Sequence, residues 1–133
     1  MTAILLDTNA LLWLVSAPDK ISDAAHTMLA DQSNELFVSA ASAWEIAIKT
    51  RLGRLDGEPL LSAWGETLTA MNTNDLAMDS ADATLAGRLN WDHRDPFDRM
   101  LVAQAVRRGL TIATSDDVIA DCALTPVLDT TRR

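Results

Sequence analysis

Short continuous apolar runs recur along the chain, separated by longer stretches with helical spacing. The runs at 3–6, 36–38 and 110–114 contain little polar alternation, which is typical of strands buried on both faces of a parallel sheet. A weaker run at 76–78 and a possible edge strand at 126–128 follow the same pattern. The pattern therefore predicts five short strands.

The segments between these strands carry helix signals. Ser22 and Ser39 suit N-caps, and Gly109 suits the residue just after a helix C-terminus. Asp95 and Pro96 form a sharp helix start, with the aspartate as cap and the proline at the first helical position. The predicted helices span 10–16, 23–32, 40–52, 59–71, 81–89 and 96–108, with a short helical turn at 118–120.

Strands that alternate with helices predict an α/β fold with a mainly parallel, twisted sheet flanked by helices. The 133 residues suit a single domain over 1–133 with one sizeable core. Residues 129–133 are predicted to be a loose tail. In sheets of this kind, sites form beyond the carboxyl ends of the strands, so residues that follow a strand are the first candidates for chemistry.

Charge narrows the candidate partners. The chain has 11 basic and 19 acidic residues, a net charge of −8, which argues against a protein-wide electrostatic attraction to nucleic acid. A nucleic-acid enzyme is still compatible with this charge if some of the acids bind divalent cations. The acidity could equally attract a basic partner protein.

The cysteine content and the first residues of the chain indicate in which cellular compartment the protein is expected. Cys122 is the single cysteine, so the chain can form neither an internal disulfide nor a thiolate metal cluster. No basic segment precedes the apolar start, and Asp7 interrupts it early, so neither a signal peptide nor a membrane span is expected. We expect a cytoplasmic protein that does not contact membranes.

Four acidic residues lie next to apolar sequence at positions where a solvated acidic face would not be built. Asp7 and Asp116 each follow a predicted strand. Glu45 lies in the second turn of one predicted helix, and Asp98 lies in the first turn of another. Two carboxylates about 4 Å apart repel by about 4 kcal/mol at an effective dielectric near 20. Three or four that converge without a cation would force at least one to protonate, and a divalent ion removes that conflict.

The chemistry of these four acids favours Mg²⁺ or Mn²⁺ over Zn²⁺, because every ligand would be an oxygen. A cation held in this way lowers the pKa of a water and stabilises a leaving oxygen. The reaction that this pattern indicates is hydrolysis of a phosphodiester.

A structural interpretation of the same acids stays open at this point. Asp7 and Asp116 can be strand-end caps, and Asp98 can stabilise the start of its helix. Glu45 can pair with Lys49 one helical turn on.

Neighbours of the third and fourth acids raise further alternatives. Asp117 could take the role of Asp116. Asp95 repeats the chemistry of the acid three residues later, but its N-cap position already explains it. His93 is not required as a general base if a metal-activated water attacks.

Four segments carry a resemblance to a known family. They are LLDTNALLW at 5–13, SAASAWEIAIKTRLGRL at 39–55, HRDPFDRMLVAQA at 93–105 and LTIATSDD at 110–117. Together they resemble PIN-domain ribonucleases, and more narrowly the VapC toxins of bacterial type II toxin–antitoxin systems. The resemblance spans nearly the whole chain.

The resemblance implies a function and a site. It places the catalytic, metal-binding quartet of the family on Asp7, Glu45, Asp98 and Asp116, with Thr8, Asn9 and Ser115 as polar neighbours. It implies Mg²⁺- or Mn²⁺-dependent endonucleolytic cleavage of RNA, often structured RNA such as tRNA or rRNA, which stops translation. It also implies a homodimer and a cognate VapB-type antitoxin whose tail lies across the acidic crevice.

Basic side chains near the quartet are candidates for RNA contact. Lys49, Arg51 and Arg54 form a basic end to one predicted helix, and Arg94 and Arg99 flank the third acid. Phosphate positioning is expected of such side chains in an enzyme that cuts RNA. The alternatives are a favourable helix C-terminus for the first group and salt bridges for the second.

Two other functions compete with the nuclease interpretation. A non-catalytic PIN-like module that binds only RNA or protein is disfavoured by the intact quartet. A phosphotransferase of the haloacid dehalogenase type would need a second aspartate two residues after Asp7, where this chain has Asn9.

Overall fold

A fully parallel sheet of five strands forms the centre of the structure, a computed structural model that describes residues 1–132. The strands are β1 (Ala3–Leu6), β2 (Glu35–Ser39), β3 (Thr73–Leu76), β4 (Thr111–Thr114) and β5 (Val127–Asp129). They lie in the order β3-β2-β1-β4-β5, with β1 at the centre, where Leu5 is in register with Phe37 of β2 and Ile112 of β4. The predicted α/β fold with a parallel sheet is confirmed.

Helices connect successive strands. They are α1 (Thr8–Ser16), α2 (Asp23–Ala30), α3 (Ala40–Arg51), α4 (Glu58–Ser62), α5 (Trp64–Ala70), α6 (Ser80–Arg88), α7 (Pro96–Arg108) and α8 (Asp117–Ala120), with a 3₁₀ turn at Pro18–Lys20. Side chains of Ser22 and Ser39 accept hydrogen bonds from the first turns of α2 and α3, and Gly109 adopts a left-handed φ of 66° after α7, as predicted. None of the helices within residues 1–132 has the length and hydrophobicity needed to span a bilayer.

The core has two halves, one on each face of the sheet. Ile4 and Leu6 belong to one apolar cluster, while Leu5 between them belongs to the other. All three side chains are fully buried. Because β1 is covered on both faces, its sequence is a continuous apolar run with no polar alternation.

Two predicted elements differ from the structure. The helix predicted at 59–71 is two helices, α4 and α5, because Ala63 between them leaves the helical region at φ −118° and ψ 27°. The strand predicted at 76–78 lies earlier, at β3, where pairing with β2 selects a more polar segment. Asn74 in that segment donates a side-chain hydrogen bond to the Leu36 carbonyl at 3.0 Å.

The segment predicted to be a loose tail, 129–133, is tied to the sheet instead. Thr130 is fully buried, its N–H donates to the Thr114 carbonyl at 3.0 Å, and its carbonyl accepts from the Ser22 N–H at 3.1 Å. These long-range backbone hydrogen bonds order the segment, so the prediction is wrong for the part that the structure describes. Arg133 lies outside the described residues.

A close approach at Gly57 gives a first testable prediction. A Cβ at this position would lie 2.5 Å from Ile46 Cγ2 and 2.6 Å from Thr50 Oγ1, and Ile46 is fully buried. We expect Gly57→Ala to lower the free energy of unfolding by about 1–3 kcal/mol through overpacking. Urea denaturation of the purified variant measures this change.

The matched control is Gly65→Ala in α5, where a Cβ would meet no atom within 4 Å. This variant should unfold at the same urea concentration as the wild type or slightly higher, because alanine favours the helix by up to about 1 kcal/mol. An equal decrease in the free energy of unfolding of both variants would show that the close contacts at Gly57 are not the cause of the destabilisation.

Candidate metal and catalytic site

Asp7 links three elements at the carboxyl edge of the sheet. It directly follows β1, and its side chain is only 4% exposed. Its Oδ1 accepts a hydrogen bond from the Ala10 N–H at 2.7 Å, which makes it the N-cap of α1. Its Oδ2 accepts from the Thr114 hydroxyl of β4 at 2.5 Å. Both carboxylate oxygens are therefore held in fixed positions.

Asp7 lies close enough to two other predicted site residues for their charges to change its pKa. Burial raises the pKa of Asp7, the hydrogen bonds from Thr114 and Ala10 lower it, and the negative charges of Asp98 and Asp116 raise it. The net result is a pKa of about 6. Asp7, Asp98 and Asp116 thus come from three distant parts of the chain and are close enough for their charges to act on one another. The edge of the sheet where these three carboxylates lie is called the acidic crevice.

Asp98 lies in the first turn of α7 with its side chain 19% exposed. Burial raises the pKa of Asp98, the hydrogen bond from His93 lowers it, and the charges of Asp95 and Asp116 raise it. The pKa values of Asp7 and Asp98 are therefore raised for the same two reasons, first burial and then the charges of neighbouring aspartates.

His93 and Asp95 join Asp98, an arrangement that sequence reasoning did not predict. His93 Nε2 lies 2.7 Å from Asp98 Oδ2, and one ligand atom from each of the three residues lies within 4.8 Å of the others. Asp95 is also the predicted N-cap of α7, because its Oδ1 accepts from the Phe97 N–H at 2.8 Å. The available sequence signal was the spacing of His93, Asp95 and Asp98 around a single helix start.

Asp116 lies two residues after β4 and is tied to the same threonine as Asp7. Its N–H donates to Thr114 Oγ1 at 3.0 Å, and its Oδ1 accepts from the Val118 N–H at 2.9 Å as the N-cap of α8. Asp117 is exposed, whereas Asp116 is half-buried. Because the charge of Asp116 acts on both other aspartates, the geometry favours Asp116 over Asp117.

Glu45 is buried on α3, and its carboxylate is engaged by a neighbour. Lys49 Nζ lies 2.6 Å from Glu45 Oε2, so the ion pair foreseen in the structural interpretation is present. The helix turn before Glu45 contacts the start of α1, where the hydroxyls of Thr8 and Ser42 lie 2.9 Å apart. Glu45 therefore lies on the side of α3 that faces the Asp7 region, paired with Lys49 rather than with the aspartates.

Comparisons with known proteins settle the family. The PIN domain family model matches residues 4–123. This chain belongs to the PIN-domain family. It is also 30% identical over 117 residues to Ribonuclease VapC22 of Mycobacterium tuberculosis, a match that covers 87% of this chain and 88% of that protein. The resemblance seen in the sequence motifs is confirmed, and it does not support a haloacid dehalogenase phosphotransferase.

Solved structures share the fold of this PIN domain. VapBC2 from Rickettsia felis, bound to a DNA fragment from its promoter, matches with a TM-score of 0.71 at 12% identity and covers 96% of this chain and 98% of that chain. DNA-bound VapBC from Salmonella typhimurium matches with a TM-score of 0.71 at 17% identity and covers 97% and 98% of the respective chains.

Arg99 of this PIN domain has a structural role rather than the predicted RNA contact. Its guanidinium donates to four backbone carbonyls at 2.6–3.0 Å. Their residues are Ala86, Leu89, Trp91 and His93. Because these bonds occupy the guanidinium, Arg99 holds the loop before α7 in place and positions His93 beside Asp98.

The donor set of this PIN domain fits a divalent cation. Carboxylate oxygens of Asp7, Asp98 and Asp116 suit Mg²⁺ and Mn²⁺, which prefer oxygen ligands. Burial is the main cause of the raised pKa values of Asp7 and Asp98, and the charges of neighbouring aspartates add to it, so a bound cation would favour the ionised form of both carboxylates.

Proposed function

We propose that this PIN domain is a Mg²⁺- or Mn²⁺-dependent endoribonuclease that acts as the toxin of a toxin–antitoxin pair. The observation that carries the proposal is the placement of these acids at the carboxyl edge of a PIN fold, where Thr114 links Asp7 to Asp116 by hydrogen bonds and Asp98 is close enough for its charge to act on Asp7. The 30% identity to a protein named as a ribonuclease supports RNA as the substrate.

The metal would be held by Asp7, Glu45, Asp98 and Asp116. When bound, such a cation lowers the pKa of a water and stabilises the leaving oxygen of a phosphodiester. In the crevice, Thr114 and the Ala10 N–H fix the orientation of the Asp7 carboxylate.

Lys49 would have two successive partners in this proposal. It neutralises Glu45 in the structure, with 45% of its side chain exposed. If Glu45 served as a ligand of the cation, Lys49 would no longer be needed to neutralise it and would be free to contact a phosphate of the RNA. The exposed Arg51 and Arg54, at the end of the same helix, extend the basic surface.

The proposed partners follow from the family. The similar solved structures are VapBC proteins bound to DNA, which supports a cognate VapB-type antitoxin for this chain. The net charge of −8 suits a partner that carries basic side chains. We further propose that the protein is a cytoplasmic homodimer and that its targets are structured RNAs, such as tRNA or rRNA, whose cleavage stops translation.

The decisive test compares wild-type protein with the Asp98→Asn variant on a purified tRNA. The wild type should cleave in Mg²⁺ or Mn²⁺ and not in EDTA. Asp98→Asn should cleave at least about 100-fold more slowly, because losing a ligand costs at least as much as losing a residue that supports one. Cleavage rates are measured by denaturing gel electrophoresis.

Asp92→Asn is the matched control, since Asp92 is exposed in the loop before α7 and the substitution removes the same charge. It should cleave like the wild type. Equal cleavage by wild type and Asp98→Asn would indicate a contaminating nuclease. Absence of cleavage by the wild type with every cation and RNA would favour a non-catalytic binding module.

A further inference from the structure

An apolar groove lies beside the acidic crevice, between α3, α6 and α7. Its volume is about 240 Å³, and its walls are mostly hydrophobic. This is smaller than the roughly 300–1,000 Å³ typical of pockets for drug-sized ligands, so the groove suits a single ring system. Trp44, Ala86, Gly87, Arg94, Phe97 and Met100 are among its lining residues.

Trp44 is the most informative residue of this groove. The residue is 55% exposed, which is unusual for so large an apolar ring, and it belongs to neither half of the core. The indole contacts Phe97 edge to face, with 5.1 Å between ring centroids and 80° between ring planes. This contact fixes the orientation of the indole and leaves more than half of its surface open.

The groove adjoins two of the proposed metal-binding residues. Trp44 directly precedes Glu45 on α3, and Phe97 directly precedes Asp98 on α7. Successive residues of a helix point about 100° apart, so the aromatic pair lies alongside the acidic crevice rather than inside it. A ligand held in the groove would therefore extend towards the site of chemistry.

Arg94 adds a positive charge to the wall of the groove. The side chain is exposed and makes no hydrogen bond or ion pair within residues 1–132. In a protein with a net charge of −8, an unpaired arginine beside an open tryptophan is complementary to a nucleotide, whose base can stack on the indole while its phosphate contacts the guanidinium.

We propose that this groove binds one unpaired nucleobase of the RNA substrate, stacked on Trp44, with Arg94 contacting an adjacent phosphate. Bases that are splayed out of RNA loops stack on aromatic side chains, and such stacking tolerates any base. The inference rests on the proposed function, because it takes the ligand of the groove to be the RNA that is cut. It makes Trp44 a residue that selects unpaired nucleotides near the scissile bond.

The binding test uses RNA without cleavage. Oligouridine and a hairpin RNA are titrated in EDTA into wild type, Trp44→Ala, Trp44→Phe and Val106→Ala. Trp44→Ala should bind at least about fivefold more weakly, as expected for loss of one stacked base, and Trp44→Phe should lie in between. Val106 is 42% exposed on α7 but outside the groove, so Val106→Ala should bind like the wild type.

A second measurement tests whether the contact is to a base. Each loop nucleotide of the hairpin is replaced in turn by an abasic one. At one position the abasic RNA should lose affinity for the wild type but not for Trp44→Ala, so that the two defects are not additive. Circular dichroism of all variants confirms that they are folded.

Three outcomes would overturn the inference. One is equal RNA affinity of wild type and Trp44→Ala, including absence of binding by both. Another is that, at every position, the abasic replacement and Trp44→Ala reduce RNA affinity independently, so that their effects add. The third is a Trp44→Ala variant that binds RNA normally but no longer co-purifies with the cognate antitoxin, which would assign the groove to the partner protein.

The proposed nuclease function fails differently. A wild type that binds RNA through Trp44 but does not cut it would overturn the nuclease proposal and leave the nucleobase site standing.

Discussion

Asp7→Asn should abolish RNA cleavage and, in the absence of metal, make the protein more stable than the wild type at neutral pH. Activity is lost because the amide is a poorer cation ligand than the carboxylate. In cells, induced wild-type protein should arrest growth, and Asp7→Asn should not.

The gain in stability follows from the raised pKa of Asp7. That pKa is about 6 in the folded protein and about 4 in the unfolded chain, so the folded state holds its proton more tightly. Between these values, the wild-type free energy of unfolding falls as pH rises, by up to about 3 kcal/mol, and it stays at the lower value above pH 6. Asparagine carries no charge and removes this loss, while it can still accept from the Ala10 N–H.

Thermal melts in EDTA between pH 4 and pH 8 measure the effect. The difference in melting temperature between Asp7→Asn and the wild type should grow as pH rises through this range. Added Mg²⁺ should then stabilise the wild type more than the variant, because it binds the native state. A variant that is less stable than the wild type at pH 7 in EDTA would contradict the idea that the ionised Asp7 carboxylate lowers the free energy of unfolding.

Asp82→Ala should have the opposite consequence, a large loss of stability. Asp82 is fully buried on α6 and forms ion pairs with Arg107 and with Arg108, the latter at 2.9 Å. It also accepts a hydrogen bond from Gln104, a fully buried residue, at 3.1 Å. Removing one partner of such a buried network costs about 3–5 kcal/mol, a large share of the roughly 5–15 kcal/mol that stabilises a domain.

Urea unfolding of Asp82→Ala at pH 7 measures this loss. Burial on its own would raise the pKa of Asp82, but the hydrogen bonds from Arg108, Gln104 and Arg107 outweigh it and hold the pKa below its usual range. The stabilisation is therefore complete above the ordinary aspartate pKa of about 4 and is lost as the pH falls below it. The difference in free energy of unfolding between the wild type and Asp82→Ala should therefore become smaller at acidic pH.

Asp23→Ala is the matched control, because Asp23 also pairs with an arginine, at 3.3 Å, but is 90% exposed on its side chain. It should change stability little. A similar decrease in the free energy of unfolding of both variants would show that the contribution of Asp82 to stability does not depend on its burial.

The features that could be predicted from the sequence are those that local sequence determines. Continuous apolar runs located β1 and β4, and the caps at Ser39 and Asp95 set helix starts within a residue. Asp7 and Asp116 were found as candidates because a residue that follows a parallel strand lies at a predictable edge of the sheet.

The missed features depend on partners that are distant along the chain. Thr114 holds Asp7 across a separation of 107 residues, and nothing local marks a threonine at a strand end as a ligand support. Asp82 looks like an ordinary first-turn acid until α7 places two arginines against it. The family resemblance supplied the role of Glu45, since its own surroundings favour a simple pair with Lys49.

Because all five strands are parallel, the two ends of the sheet differ in how well they should tolerate an attached label. The acids gather at the end where the strands terminate, while the turns around Asn34, Asn72 and Gly109 lie at the end where β2, β3 and β4 begin. Dyes, surface tethers or affinity handles attached to those turns would be separated from the crevice by the full length of the strands. Single-molecule observation of the protein on RNA therefore has a ready place for its label.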